Sequence, residues 1–170
     1  AFGVSAAEIP AYDPATKRAF IVNAKAGALD VLDLSNPAQP VLLKSLTVTD
    51  IAAGATVNSV SIRQGIIAIA IEAGKKTDTG FVAFYQASDL SRLSYVSVGA
   101  LPDMLTFSPD GQTVLVANEG EPSDDYQIDP EGSISVINVS DILKPSVKTA
   151  DFKAFNSQTA ALLAKGVRIY

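Results

Sequence analysis

The chain reads as short apolar and β-branched runs of four to eight residues, separated by polar turns, which is the pattern of strands rather than of long helices. The central stretch shows it most clearly. Met104 to Phe107 is a short apolar run, and Ser108-Pro109-Asp110-Gly111 follows it. Proline presets φ near −65° and glycine accepts positive φ, so this tetrapeptide predicts a turn. Thr113 to Asn118 and Ser133 to Val139 are further β-rich runs. Between them lies Glu119 to Gly132, with six carboxylates (Glu119, Glu121, Asp124, Asp125, Asp129, Glu131) and no basic residue. A last strand is expected over Ser146 to Phe152.

The same unit recurs upstream. Set without a gap on Pro102 to Glu119, the stretch Ala7 to Ala24 places Glu8 on Asp103, Tyr12 on Phe107, Pro14 on Pro109 and Asn23 on Asn118. Asn58 to Ala73 fits between them if its turn is shortened at Gln64-Gly65. Units beginning near Glu8, Asn58 and Asp103 repeat every roughly 45–50 residues, the period of four-stranded propeller blades. The first unit predicts strands over Ile9–Tyr12, Ala19–Val22, Ala28–Leu34 and Val41–Val48. The second predicts Val57–Ile62, Ile66–Ile71, Phe81–Tyr85 and Leu93–Val98. The run Ile66 to Ile71 is apolar on both faces, which suits a strand sandwiched between sheets. Ser157 to Lys165 reads as a short helix with Ser157 as N-cap and Gly166 just past its end. The predicted fold is therefore all-β: about three four-stranded blades of a propeller, in units of about 6–50, 57–99 and 102–152. Residues 153–170 form a short helix leading to a further blade. A β-sandwich with similarly spaced strands is the competing architecture.

The 170 residues suffice for one domain with a sizeable core. Apolar content of 48% with 18% charged residues is a globular composition. No apolar run approaches the roughly 18 residues of a membrane span. Ala1-Phe2-Gly3-Val4 carries no signal-peptide pattern and resembles a mature or trimmed start. A net charge of −5 without a basic cluster argues against nucleic acid and anionic membranes as partners. Cysteine and histidine are both absent. There is no disulfide, no zinc–thiolate site and no histidine base, so a metal site here must use oxygen ligands, which favours calcium or magnesium.

The third unit, FSPDGQTVLVANEG followed by GSISVINVS, resembles the YVTN-type propeller repeat. The strings AAEIPAYDPATKRAFIVNAKAGALDVLDLSNPAQP, VNSVSI, GALPDMLTFSPDG and VANEGEPSDDYQIDPEGSISVI together resemble the choice-of-anchor I family over nearly the whole chain. That resemblance implies a bacterial β-propeller that is extracellular, at the cell surface or periplasmic. Some relatives carry names such as alkaline phosphatase and mesenchyme-specific cell surface glycoprotein. Propellers of this family continue well beyond three blades, to about seven. Three blades alone would leave two open sheet faces and an apolar flank. The remaining blades, from further sequence or another polypeptide, are thus expected partners.

Propeller topology places the start of each first strand and each second-to-third-strand loop at one end of the axis. Glu8, Asn58 and Asp103 sit at equivalent first-strand starts. Glu72, Glu119, Glu121, Asp124 and Asp125 lie at the loops of the same end. Glu8, Asp103, Glu119, Glu121, Asp124 and Asp125 are the candidate metal ligands, and Ca2+ the candidate cofactor, since calcium takes six to eight oxygens. The competing reading is a solvated acidic loop. Asp125 to Pro130 is not an EF-hand, for it lacks the alternating ligands and central glycine. Glu72 with Lys75 and Lys76 is a weaker phosphate candidate. Asn23 and Asn118 are expected to cap loop backbone, and Tyr12, Phe20, Tyr85 and Phe107 to pack within or between blades.

Two functions stay open. One is a binding module of a secreted or cell-surface protein that holds an extracellular ligand at an acidic, calcium-bearing axis face. The other is a metal-dependent phosphoesterase, whose carboxylate-held metals would activate water. No catalytic residue can be named for it.

Overall fold

The structure, a computed structural model, describes residues 6–169. Twelve strands form three four-stranded antiparallel sheets, each built from consecutive strands. The first sheet contains β1 (Ala7–Asp13), β2 (Arg18–Asn23), β3 (Ala28–Asp33) and β4 (Val41–Leu46). The second contains β5 (Thr56–Arg63), β6 (Ile66–Glu72), β7 (Thr79–Gln86) and β8 (Arg92–Ala100). The third contains β9 (Pro102–Phe107), β10 (Thr113–Asn118), β11 (Ser133–Asn138) and β12 (Ser146–Ala150). A 3-10 turn over Lys153–Gln158 and the helix α1 (Thr159–Ala164) follow, and neither buries a residue.

The turns form where the sequence demands them. Gln64 and Gly65 both have positive φ, 50° and 77°, and join Arg63 to its partner Ile66 in a two-residue hairpin. Two left-handed central residues make a type I′ turn, whose twist matches that of the flanking strands. At Ser108–Gly111 the Gly111 N–H donates to the Ser108 carbonyl at 2.9 Å, and the Ser108 hydroxyl accepts from the Thr113 N–H at 3.0 Å.

Two apolar seams hold the sheets face to face. Phe20, Val22, Leu29 and Val31 of the first sheet meet Ile67, Ile69, Ile71 and Ala83 of the second. Ala68, Ala70, Val82 and Phe84 leave the other face of the second sheet and meet Val114, Val116 and Ile137 of the third. The strand Ile66–Glu72 is thus buried on both faces, as its unbroken apolar run requires. Each valine, leucine, isoleucine or phenylalanine in these seams, taken from water, contributes about 1.5–3 kcal/mol. The seams close tightly because glycines stand where side chains of the neighbouring sheet approach. A Cβ on Gly99 would fall 2.7 Å from the Asn118 Cβ across the second seam, and one on Gly27 would fall 2.7 Å from the Thr56 Cγ2 across the first.

Three expectations need correction. Ser157 lies inside the 3-10 turn and caps nothing; α1 starts after Gln158, with no side-chain cap. The helix end is as expected: Gly166 has φ +83°, its N–H donates to the Leu163 carbonyl, and the Val167 N–H donates to that of Leu162. These two bonds are a Schellman motif. Tyr12 is 51% exposed, unlike buried Phe20 and Tyr85 and half-buried Phe107. It lies on the face of the first sheet turned away from the second. Asn118 does not cap loop backbone: its Nδ2 donates to the hydroxyls of Ser133 and Ser135 at 3.1 and 2.9 Å, and its Oδ1 is buried without a partner. Asn23 does cap, accepting the Ala26 N–H at 3.1 Å.

The Gly99 seam is directly testable. Gly99→Ala forces a methyl group against Asn118, and overpacking of this kind costs about 1–3 kcal/mol. Urea denaturation should show a lower midpoint with an unchanged slope. An unshifted midpoint would mean that the seam has slack.

Candidate functional site

The first strand of each sheet carries a β-bulge at its start. In β5 the register steps from Val57↔Ile71 to Ser59↔Ala70, which leaves Asn58 as the extra residue. In β9 it steps from Pro102↔Asn118 to Met104↔Ala117, which leaves Asp103. In β1 the shift lies between Ala7 and Pro10, so Glu8 and Ile9 stand opposite Val22 alone. A bulge bends its strand and re-aims the side chain of the extra residue. The three re-aimed residues, Glu8, Asn58 and Asp103, line one cavity of about 300 Å³.

Glu72 and Glu119 complete the acidic wall of this cavity. Both immediately follow or end a second strand. Glu72 is fixed: the Thr56 hydroxyl donates to one of its oxygens at 2.9 Å, and the Asn58 amide donates to the other at 3.1 Å. The Asn58 amide also reaches the Pro102 carbonyl at 3.4 Å, which ties the second sheet to the start of the third. The Glu119 N–H donates to the Leu101 carbonyl at 2.9 Å and so anchors that residue at the rim. Desolvation pushes the Glu119 carboxyl above the usual glutamate range, and the negative charges of Asp103 and Glu121 push it the same way.

The other candidate residues stand elsewhere. Glu121 and Asp124 line a neighbouring depression with Lys76, whose Nζ lies 3.4 and 3.2 Å from their carboxylates. Asp124 foremost, with Glu121, holds the Lys76 ammonium above its usual range. Such exposed pairs contribute little to stability. Asp125 serves its own turn: the Ser123 hydroxyl donates to it at 2.6 Å and the Gln127 N–H at 3.2 Å, and these bonds hold its carboxyl below the usual range. Among the described residues, no three carboxylates stand close enough to hold one metal ion between them. The grouping of Glu72 with Lys75 and Lys76 also dissolves. Glu72 faces the axial cavity, Lys76 pairs across to the acidic loop, and Lys75 lines a third cleft beside Asp78 and Phe81.

Sequence reasoning left Glu72 and Asn58 out of the candidate ligands, although it put both at the correct end. The missing signal was Thr56: two side-chain donors opposite the end of β6 mark Glu72 as a held carboxylate.

Three four-stranded sheets, packed face to face with their first strands starting around one mouth, define a β-propeller protein. The chain belongs to the choice-of-anchor I family, whose domain model matches residues 8–170. Solved structures agree on the fold. Hydrazine synthase of Kuenenia stuttgartiensis superposes with a TM-score of 0.61 at 15% identity, over 85% of this chain and 37% of that one. A protein of Bacteroides uniformis, described as a candidate 6-phosphogluconolactonase, gives 0.62 at 13% identity, over 85% of this chain and 40% of that one. A luciferin-regenerating enzyme gives 0.60 at 14% identity, over 78% and 45%. The chain therefore spans less than half the length of these structures, and at such identities the likeness is one of fold. No curated protein sequence matches the chain. No helix among the described residues is long and apolar enough to cross a membrane.

A raised carboxyl pKa has a defined sign in stability. The charged form of Glu119 is the disfavoured one, so its penalty is absent below the ordinary glutamate pKa and full above the raised one. A 13C-NMR titration of the glutamate carboxyls should give Glu119 a midpoint above the ordinary value. Asp103→Asn and Glu121→Gln should each lower that midpoint. A Glu119 midpoint indifferent to both would remove like-charge repulsion as a feature of the mouth.

Proposed function

We propose that this propeller is a non-enzymatic binding module of a secreted or cell-surface bacterial protein, and that its acidic axial mouth holds calcium as part of the ligand site. The carrying observation is the convergence of Glu8, Asn58 and Asp103 from three separate bulges onto the cavity that Glu72 and Glu119 also line. The oxygens are of the type calcium takes. The cavity is wide and its carboxylates stand apart, so the ion in this reading keeps several waters and binds in the weak range of extracellular modules, with dissociation constants on the order of 0.1–1 mM. The Glu119 carboxyl is raised first by desolvation and then by the charges of Asp103 and Glu121, and a cation there relieves the second of these. Membership of the choice-of-anchor I family supports the location outside the cytoplasm.

The phosphoester reading gains nothing from the geometry. Carboxylates repel phosphate, and the described lining of the mouth contains no lysine or arginine. Lys76, one of the two lysines of the phosphate candidate, is engaged by Glu121 and Asp124.

Calorimetric titration of the chelator-treated chain with calcium tests the proposal. One weak site is expected, and the double variant Asp103→Asn, Glu119→Gln should weaken it about tenfold or more. Asp125→Asn, remote from the mouth, should leave it unchanged. No calcium binding up to several millimolar, in protein that gives a folded spectrum, would overturn the calcium reading.

A further inference from the structure

The cleft that Lys75 lines has a volume of about 790 Å³ and shares no lining residue with the mouth. Two segments wall it: the link that carries the chain from β4 to β5, and the loop from β6 to β7. Ala52 of the link and Phe81 of β7 both pack on the core between the first and second sheets, so the cleft belongs to that seam and not to the outer flanks. The walls touch backbone to backbone. A Cβ on Gly74 would fall 2.8 Å from the Ala53 carbonyl oxygen, and one on Gly54 would fall 3.4 Å from the Gly74 Cα. Among the described lining residues, Ala52, Ala53, Gly54, Ala73 and Gly74 carry a methyl group at most, which leaves the space between the walls unfilled.

The aromatic side of the cleft is braced. Phe81 is half-buried and meets the Tyr95 ring edge-on, with 6.3 Å between centroids. The Arg92 guanidinium lies 5.6 Å from the centre of the Tyr95 ring and pairs with Asp50 of the link. These contacts tie the link to β7 and β8, and a site held in advance loses less entropy when it binds. The charged groups are held differently. The Asp78 N–H donates to the Lys75 carbonyl at 2.9 Å and closes the turn between them. Among the described residues, no ion pair or hydrogen bond engages the Lys75 ammonium or the Asp78 carboxylate, whereas the neighbouring Lys76 is bound to Glu121 and Asp124. Thr79 adds a hydroxyl to the lining.

We propose that this cleft binds a short acidic saccharide of the uronic-acid type: Lys75 takes the sugar carboxylate, Asp78 and Thr79 take neighbouring hydroxyls, and Phe81 packs on the apolar face of a sugar ring. The lining selects this chemistry. A free ammonium pairs with one carboxylate through a charge-assisted hydrogen bond. The carboxylate of Asp78 repels a phosphate or a second anion and accepts from hydroxyl groups instead. The volume falls within the roughly 300–1,000 Å³ of ligand pockets, mostly apolar with a few placed polar groups. A free amino acid would match the two charges as a zwitterion but would leave most of that volume empty. The site is independent of calcium at the mouth, and its test is run without calcium.

In chelator-treated buffer, 15N-NMR spectra of the chain titrated with trigalacturonate should show saturable shifts at Gly54, Gly74, Lys75 and Phe81, and none at Asp103 or Glu119. Lys75→Gln removes an exposed charge and should weaken trigalacturonate binding about tenfold, with an unchanged far-UV spectrum. The same variant should not alter the weaker binding of neutral maltotriose. Phe81→Leu should weaken both sugars; if that variant fails to fold, the Lys75 variant decides alone. No shift in the cleft at about 10 mM trigalacturonate would overturn the proposal. Binding indifferent to Lys75→Gln would overturn it equally. Tighter binding of zwitterionic trialanine than of trigalacturonate would also overturn it and assign the cleft to peptides.

Discussion

The face-to-face packing of sheets is the interaction on which everything else depends. A four-stranded sheet with two apolar faces cannot stand alone in water, because each face must be covered. Here the second sheet is covered on both sides, with Ile67, Ile69 and Ile71 turned one way and Ala68 and Ala70 the other. That packing fixes the rotation between neighbouring sheets and therefore fixes where their first strands begin. The axial cavity is a consequence. Glu8, Asn58 and Asp103 meet because two seams of one kind join the three sheets and so bring equivalent first-strand residues to one mouth.

The close seams also explain the small residues. Gly27 and Gly99 stand where the neighbouring sheet's Thr56 and Asn118 approach to within a methyl group's radius. Asn118 occupies the space that Gly99 leaves and secures β11 through Ser133 and Ser135, at the cost of one buried amide oxygen with no partner. Rigid seams hold the rim residues in place, whereas the acidic loop beyond Gly120 is tied only by its own turns and by the exposed contacts of Lys76 and Lys153. The mouth is thus built into the sheets and the outer acidic cluster is hung from a loop.

Most of the strand order was legible in the sequence, because turn chemistry is local. Gln64-Gly65 and Ser108 to Gly111 announce their turns, and the unbroken run Ile66 to Ile71 announces a strand with no solvent face. The end of the axis on which the carboxylates sit followed from topology alone. What escaped was whatever depends on a neighbour distant in the chain. The partition of Glu121 and Asp124 away from Glu119 needs Lys76, 45 residues upstream of Glu121. The part played by Asn118 needs Gly99 on the adjacent sheet. Bulges escaped because an extra residue in a strand leaves no mark on composition, so Asn58 was placed at the mouth by its position at a strand start, without the bulge that aims it. Tyr12 was misjudged because its burial requires a sheet on the far side of the first one.

The pattern of substitution among the repeats bears on whether the mouth is more than a by-product of packing. Two sets of equivalent positions line it: Glu8, Asn58 and Asp103 at the bulges, and Ala24, Glu72 and Glu119 at the ends of the second strands. The second set is equivalent by hydrogen bonding, since the N–H of Ala24 and that of Glu119 each donate to the residue before the facing first strand. If the backbone alone mattered, side chains at these six positions would be free to vary in kind. Five of the six carry a side-chain oxygen, although they differ in length and charge. The residues just before the bulges, Ala7, Val57 and Pro102, carry none. Packing accounts for the apolar set, and hydrogen bonding accounts for Asn58 and Glu72, since the Asn58 amide and the Thr56 hydroxyl both donate to the Glu72 carboxylate. Repulsion among the carboxylates of the mouth is a cost that salt screens only partly in a recessed site. Oxygens recur at these positions in three separate repeats, so the character of the mouth is set by its side chains and not by the backbone that brings them together.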